Sequence, residues 1–124
     1  MNKKRVDKYL PLAIDAIEKC SISNEKGDVT KTFRGNISSF GAAVTMGSFK
    51  AAVAFFSQKN KSTIDRQNLI AAMWYVVKNG EKKDVADICK EILRMNGTEL
   101  DAITAEFLDA SIAIKLAMNV YNLK

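Results

Sequence analysis

The sequence predicts a compact all-α domain spanning residues 1–124. Three observations carry that expectation. The chain has 124 residues with a single proline and six glycines, so long stretches lack the punctuation of strands and turns. Its apolar fraction of 48% and charged fraction of 27% belong to an ordinary globular protein and not to a disordered one. Apolar residues also recur at spacings of three and four, the period of one helix face.

Six helices follow in order. The first is read from about Val6 to Cys20, with Val6, Leu10, Ala13, Ile14 and Ile17 inward and Pro11 suited to an opening turn. A polar loop, Ser21 to Gly27, leads to a second helix over about Val29 to Met46, with Phe33, Ile37, Phe40 and Val44 on one stripe. Gly47-Ser48 is a break, with Gly ending one helix and Ser capping the next. The third helix, about Phe49 to Ser57, is apolar almost all round and is expected to be the central buried element.

The fourth helix is expected to start at Ser62, with Asp65 completing an approximate capping box, and to end at Asn79-Gly80. Its core face is read as Leu69, Ile70, Met73, Val76 and Val77, which leaves Tyr75 outward and Trp74 at the margin. The fifth covers about Lys83 to Met95, with Val85, Ile88, Cys89, Ile92 and Met95 inward. The sixth and longest starts at Thr98 and carries Leu100, Ile103, Phe107, Ala110, Ile114, Ala117 and Tyr121 on one face. Leu108, Ile112, Leu116 and Val120 form a second ridge at steps of four, facing either another helix of the same chain or another subunit.

Charge and chemistry narrow the function. The formal net charge is +5, and residues 1–62 hold +6 of it while residues 63–124 hold −1. There is no histidine, which removes Ser-His-Asp and Cys-His nucleophile systems, the commonest general base and most transition-metal ligand sets. No catalytic residue, metal site or cofactor is therefore assigned, and the chain is read as a non-enzyme. Cys20 and Cys89 make neither a disulfide framework nor a metal site and read as buried reduced thiols. No apolar run approaches the roughly 18 residues of a membrane span, and the charged start lacks a signal-peptide core, so the expected location is the cytoplasm.

The second helix is the main candidate site. Lys31, Arg34, Ser38 and Thr45 lie opposite its apolar stripe, with Gly35, Gly41 and Ala42 near them. One reading is a smooth face for a phosphate backbone, held by Lys31 and Arg34 with help from the Ser38 hydroxyl. The other is close helix packing at the glycines with the two cations simply solvated. Lys50 on the third helix must reach water or RNA, and an outward Tyr75 could meet a protein or stack on a base. Lys3-Lys4-Arg5 and Lys59-Asn60-Lys61 read as solvated charge clusters. The acidic residues Asp84, Asp87 and Glu91 lie beside Lys83, Lys90 and Arg94, which points to helix-surface ion pairing.

The segment Arg34-Gly35-Asn36-Ile37-Ser38-Ser39-Phe40-Gly41-Ala42-Ala43-Val44, then Phe49-Lys50-Ala51-Ala52-Val53-Ala54-Phe55-Phe56, resembles the small α-helical subunit of the type III-B (Cmr) CRISPR effector complex. Tyr9-Leu10-Pro11-Leu12-Ala13 to Ile17-Glu18-Lys19 is similar as well, so the signature region is residues 9–56. Met46-Gly47-Ser48-Phe49 departs from the family pattern, which has a polar residue before the glycine. The resemblance implies a subunit without chemistry of its own, stacked in copies along the backbone subunits and helping to hold guide and target RNA. Two other classes compete: an all-α protein–protein adaptor, and a dimeric helical DNA-binding regulator that retains specific duplex DNA by itself.

Overall fold

The computed structural model describes residues 1–124 and contains six α-helices in the expected order: α1 (Lys3–Lys19), α2 (Lys31–Met46), α3 (Phe49–Phe56), α4 (Ile64–Val77), α5 (Val85–Leu93) and α6 (Gly97–Ala117). A two-residue strand β1 (Asp28–Val29) pairs in parallel with β2 (Asn122–Leu123), and Asp28 sits opposite Asn122. This small ribbon has no signal in the sequence, because two residues are too few for any alternation to register. It replaces the expected continuation of α6, which stops at Ala117 and passes through a 3-10 turn, Met118–Val120.

Helix α1 starts earlier than its apolar pattern suggests. The Asn2 side chain accepts a hydrogen bond from the Arg5 amide at 3.0 Å and caps the helix, which places Pro11 in the interior and not in the first turn. Pro11 and Asp7 are both exposed, so water can reach the Asp7 carbonyl that the proline leaves without a donor. Ile14, expected inward, is 38% exposed, while Tyr9 and Ala16 take core positions. The start of α4 also differs: Asn60, not Ser62, caps the preceding 3-10 turn (Lys61–Thr63) by accepting from the Ser62 amide, and α4 follows at Ile64.

The centre of the molecule is α4, not α3. α4 packs against all five other helices and buries Leu69, Ile70, Ala72, Met73, Trp74, Tyr75 and Val76. α3 buries only one face, through Phe49, Ala52, Val53 and Phe56, while Phe55 is 56% exposed with the Arg66 guanidinium 5.0 Å from its ring centre. An eight-residue helix that is apolar all round looks central in sequence, yet it is too short to be enclosed. The aromatic residues Phe40, Phe49, Phe56 and Phe107 meet edge to face, with Phe40–Phe56 and Phe49–Phe107 centroids 5.2 Å apart, and join α2, α3 and α6. All 31 buried apolar residues form one cluster.

α1 and α6 run side by side in the same direction. Near the start of α1, the Arg5 guanidinium pairs with Asp109 at 3.0 Å, and near its end the Tyr121 hydroxyl donates to Glu18 at 3.1 Å. The fold thereby holds the N-terminal basic cluster in order: Lys3 and Lys4 are exposed on the first turn, while Arg5 is tied down.

Candidate nucleic-acid interface

The polar face of α2 is built by an uneven helix. Only Phe33, Ile37 and Phe40 are buried, and the expected fourth member of the stripe, Val44, is half-buried. The remaining surface carries Lys31, fully on the outside, and Arg34 about one turn further on. The first turn holds no acidic residue, and Thr30 supplies no side-chain cap, so the positive pole of α2 is not neutralised from within the helix.

The glycines settle one of the two sequence readings. A β-carbon added at Gly35 or Gly41 would meet nothing within 4 Å, so neither glycine is there to let another helix approach. Both lie in ordinary helical backbone over open space. The close-packing explanation is therefore corrected, and what remains is a flat strip along an exposed helix face.

Arg34 is not a free cation. It is half-buried, and Nη1 donates to Asn119 Oδ1 at 2.7 Å, which anchors α2 to the 3-10 turn after α6 and leaves the rest of the guanidinium fork available. The role of Ser38 also needs correction. Its hydroxyl donates back to the Arg34 carbonyl at 3.2 Å, and Ser39 and Thr45 bond Gly35 and Gly41 carbonyls in the same way at 3.0 Å. The Ser38 proton is thus used inside the helix and is not presented outward.

The other predicted residues do not join this face. Lys50 is half-buried at the start of α3, beyond the far end of α2, so it is separated from Lys31 by the length of a 16-residue helix, about 24 Å. Tyr75 is not outward at all: it is 5% exposed, and its hydroxyl accepts a hydrogen bond from Lys19 Nζ at 3.3 Å. That bond holds the Lys19 ammonium above its usual pKa. No base can stack on Tyr75. Trp74, expected at the margin, is fully buried, and its indole N–H donates to Glu81 at 2.6 Å. The signal for both was available, since Leu69 to Val77 is an unbroken apolar run of the kind that is enclosed on all sides.

From the loop before α5, which starts at Val85 and not at Lys83, Lys83 pairs with Glu91 on the helix at 2.6 Å, while Asp84 caps the helix through the Ala86 amide. The Glu91 hydrogen bond raises the Lys83 pKa. Cys20 and Cys89 are free and half-buried, less enclosed than expected, and burial pushes the Cys20 thiol up. No three Cys, Asp or Glu side chains converge on a point that could hold a metal ion, and no helix is long and apolar enough to cross a membrane.

Asn119, which sequence reading did not single out, links this face to a second surface. The α6 ridge is covered only in its first half: Leu108 and Ile112 are half-buried, with Ile112 against the core, whereas Leu116 is 47% exposed and Val120 70% exposed. Of the two explanations for that ridge, packing between neighbours of the same chain accounts only for its first half. No protein-family model matches the chain, and comparison with curated proteins and with solved structures returns no match.

Proposed function

We propose that the protein is a non-catalytic assembly subunit of a type III-B (Cmr) CRISPR RNA-guided effector, which helps to hold guide and target RNA through the polar face of α2. The observation that carries this reading is the first turn of α2: two cations, no carboxylate, no side-chain cap, and then an open glycine strip. A phosphate backbone can lie against such a strip without steric hindrance, drawn by the helix pole, Lys31 and the free edge of Arg34. Nothing on the face reads bases, so recognition is by charge, with specificity left to base pairing.

The resemblance over residues 9–56 supplies the RNA and the neighbouring subunits, including further copies of this chain, as partners. Replacing Lys31 and Arg34 together with Ala should lower the duplex-RNA affinity of the assembled complex and reduce its salt slope by about 2, one for each phosphate contact. An unchanged affinity and slope would remove the assignment.

A protein–protein adaptor is the second reading, favoured by the exposed half of the α6 ridge. It predicts a partner that co-purifies at high salt and is released by Leu116→Glu, with no dependence on RNA. Within the first reading the same ridge meets a neighbouring subunit, so the two differ in whether ribonuclease treatment and Lys31→Ala change the assembly.

A further inference from the structure

A second basic surface lies away from α2. The end of α1, the side of α4 and the loop between α4 and α5 enclose a hollow of about 370 Å3, lined by Lys19, Cys20, Ser21, Asn68, Lys82 and Lys83 among others. Next to it is a smaller hollow of about 240 Å3, lined by Ser57, Lys59, Gln67, Val85 and Ala86. Asn68 and Asp84 line both, so the two form one groove across α4. Four lysines face a single carboxylate along its length.

We propose that this groove binds closely spaced phosphate groups, as found in an oligophosphate or along a nucleic-acid strand. Of its four lysines only Lys83 is in an ion pair, with Glu91. Lys19 donates to the neutral Tyr75 hydroxyl and also complements the carbonyl pole of α1. Lys59 and Lys82 stand on loops, fully exposed and without a carboxylate partner, so no helix end accounts for them. Asp84 is the one carboxylate in the lining, and it is engaged in capping α5 through the Ala86 amide. Glu81, Asp87 and Glu91 stand near Lys83, and Asp15 and Glu18 near Lys19, which leaves Lys59 and Lys82 as the free cations.

One further detail matches an anionic ligand. The Ser57 hydroxyl, on the wall of the smaller hollow, is the one buried side-chain polar atom in the protein without a hydrogen-bond partner. An unsatisfied hydroxyl of this kind is costly, and a phosphate oxygen can accept from it once the wall that shields it from solvent gives way. Val85 and Ala86 open α5 beside the same space, but Asp84 at the N-cap and Asp87 in the first turn already offset the positive pole of that helix, so attraction rests on the lysines. The linings contain no aromatic side chain, because Trp74 and Tyr75 are buried beneath. A ligand is therefore held by its phosphates and not by its bases.

The groove shares no residue with the α2 face, so the proposal stands or falls separately from the RNA-holding role given to Lys31 and Arg34. Titration of the full chain with tripolyphosphate, and with a short single-stranded oligoribonucleotide, tests it. Binding of tripolyphosphate alone assigns the free anion as ligand, and tighter binding of the oligoribonucleotide assigns the strand. Lys82→Glu and Lys59→Glu should each weaken binding by about tenfold, the effect of losing one charged hydrogen bond. Lys82→Arg should retain binding, and Lys8→Glu, an exposed reversal on α1 outside both the groove and the α2 face, should leave it unchanged. Circular dichroism confirms that each variant is folded; where a reversal disturbs the fold, Lys82→Gln serves in its place. Binding of neither probe, indifference to both groove reversals, or equal weakening by Lys8→Glu would overturn the proposal.

Discussion

α4 and α2 are nearly the same length, 14 and 16 residues, yet α4 buries seven side chains and α2 three. Both come from apolar-rich stretches, and the difference lies in the position of each in the bundle. α4 is surrounded, so its aromatic residues serve packing, and even its polar atoms, the Trp74 N–H and the Tyr75 hydroxyl, are satisfied within the protein. α2 lies at the periphery and keeps a face with open glycines and an exposed Lys31, from which Arg34 reaches across to Asn119. A helix with spare surface is where a partner can be met, and a helix without it is where stability resides.

This contrast can be broken most sharply at Trp74. Trp74→Ala should cost about 3–5 kcal/mol through the cavity it leaves, together with the hydrogen bond to the exposed Glu81, a loss readable in a denaturant midpoint. A cost near that of a surface substitution would show that α4 is not the centre. Next in size is Arg5→Ala, which leaves the buried Asp109 carboxylate with only the distant Asn2 amide, 3.4 Å away; about 1–3 kcal/mol should be lost.

The opposite sign is expected on α2. Gly41→Ala or Gly35→Ala should stabilise the protein by about 0.5–1 kcal/mol each, because the added methyl meets nothing and the helix gains propensity. If the strip carries RNA, the same substitutions should weaken RNA binding while raising the melting temperature. A rise in both would mean that the flat surface has no role.

The smallest effect at neutral pH belongs to Tyr121→Phe, about 0.5 kcal/mol from one exposed hydrogen bond to Glu18. Its signature appears in alkali. Burial, reinforced by Glu18, pushes the Tyr121 hydroxyl up from 10.0 to about 12. The unfolded chain therefore loses this proton first, and the stability it contributes is present below pH 10 and lost as pH rises to 12. Tyr9, raised mainly by burial, adds a decline of the same sign. Melting temperatures between pH 9 and 12 should fall less steeply in the Phe variant than in the wild type.

Much of the architecture was legible. The six helices, their order and the stripe of α2 follow from spacing alone, because amphipathic periodicity reports which side of a helix meets other residues. Periodicity fails where burial is all-round or chain length intervenes. Tyr75 was misplaced because a helical wheel forces an outside onto α4, and α3 was overvalued because eight apolar residues need not be enclosed. Cap choice was equally opaque: Asn60 and Ser62 are both good caps, and only the 3-10 turn between them decides. On the candidate site, Lys31 stands where the wheel placed it. The Arg34–Asn119 bond joins residues far apart in sequence and has no local signal.

That bond belongs with the ribbon of β1 and β2. The entry to α2 is fixed on one side by Asn122 and Leu123, on another by Lys124, whose amide donates to the Val29 carbonyl at 2.9 Å, and at Arg34 by Asn119. Every one of these partners follows α6. The first turn of α2 is therefore tied to a segment 85 or more residues further along the chain, in addition to the local bridge between Ser23 and Val29. A change at Asn119 would be felt on the surface at Lys31 and Arg34, so the segment after α6 helps to set the face that a partner meets.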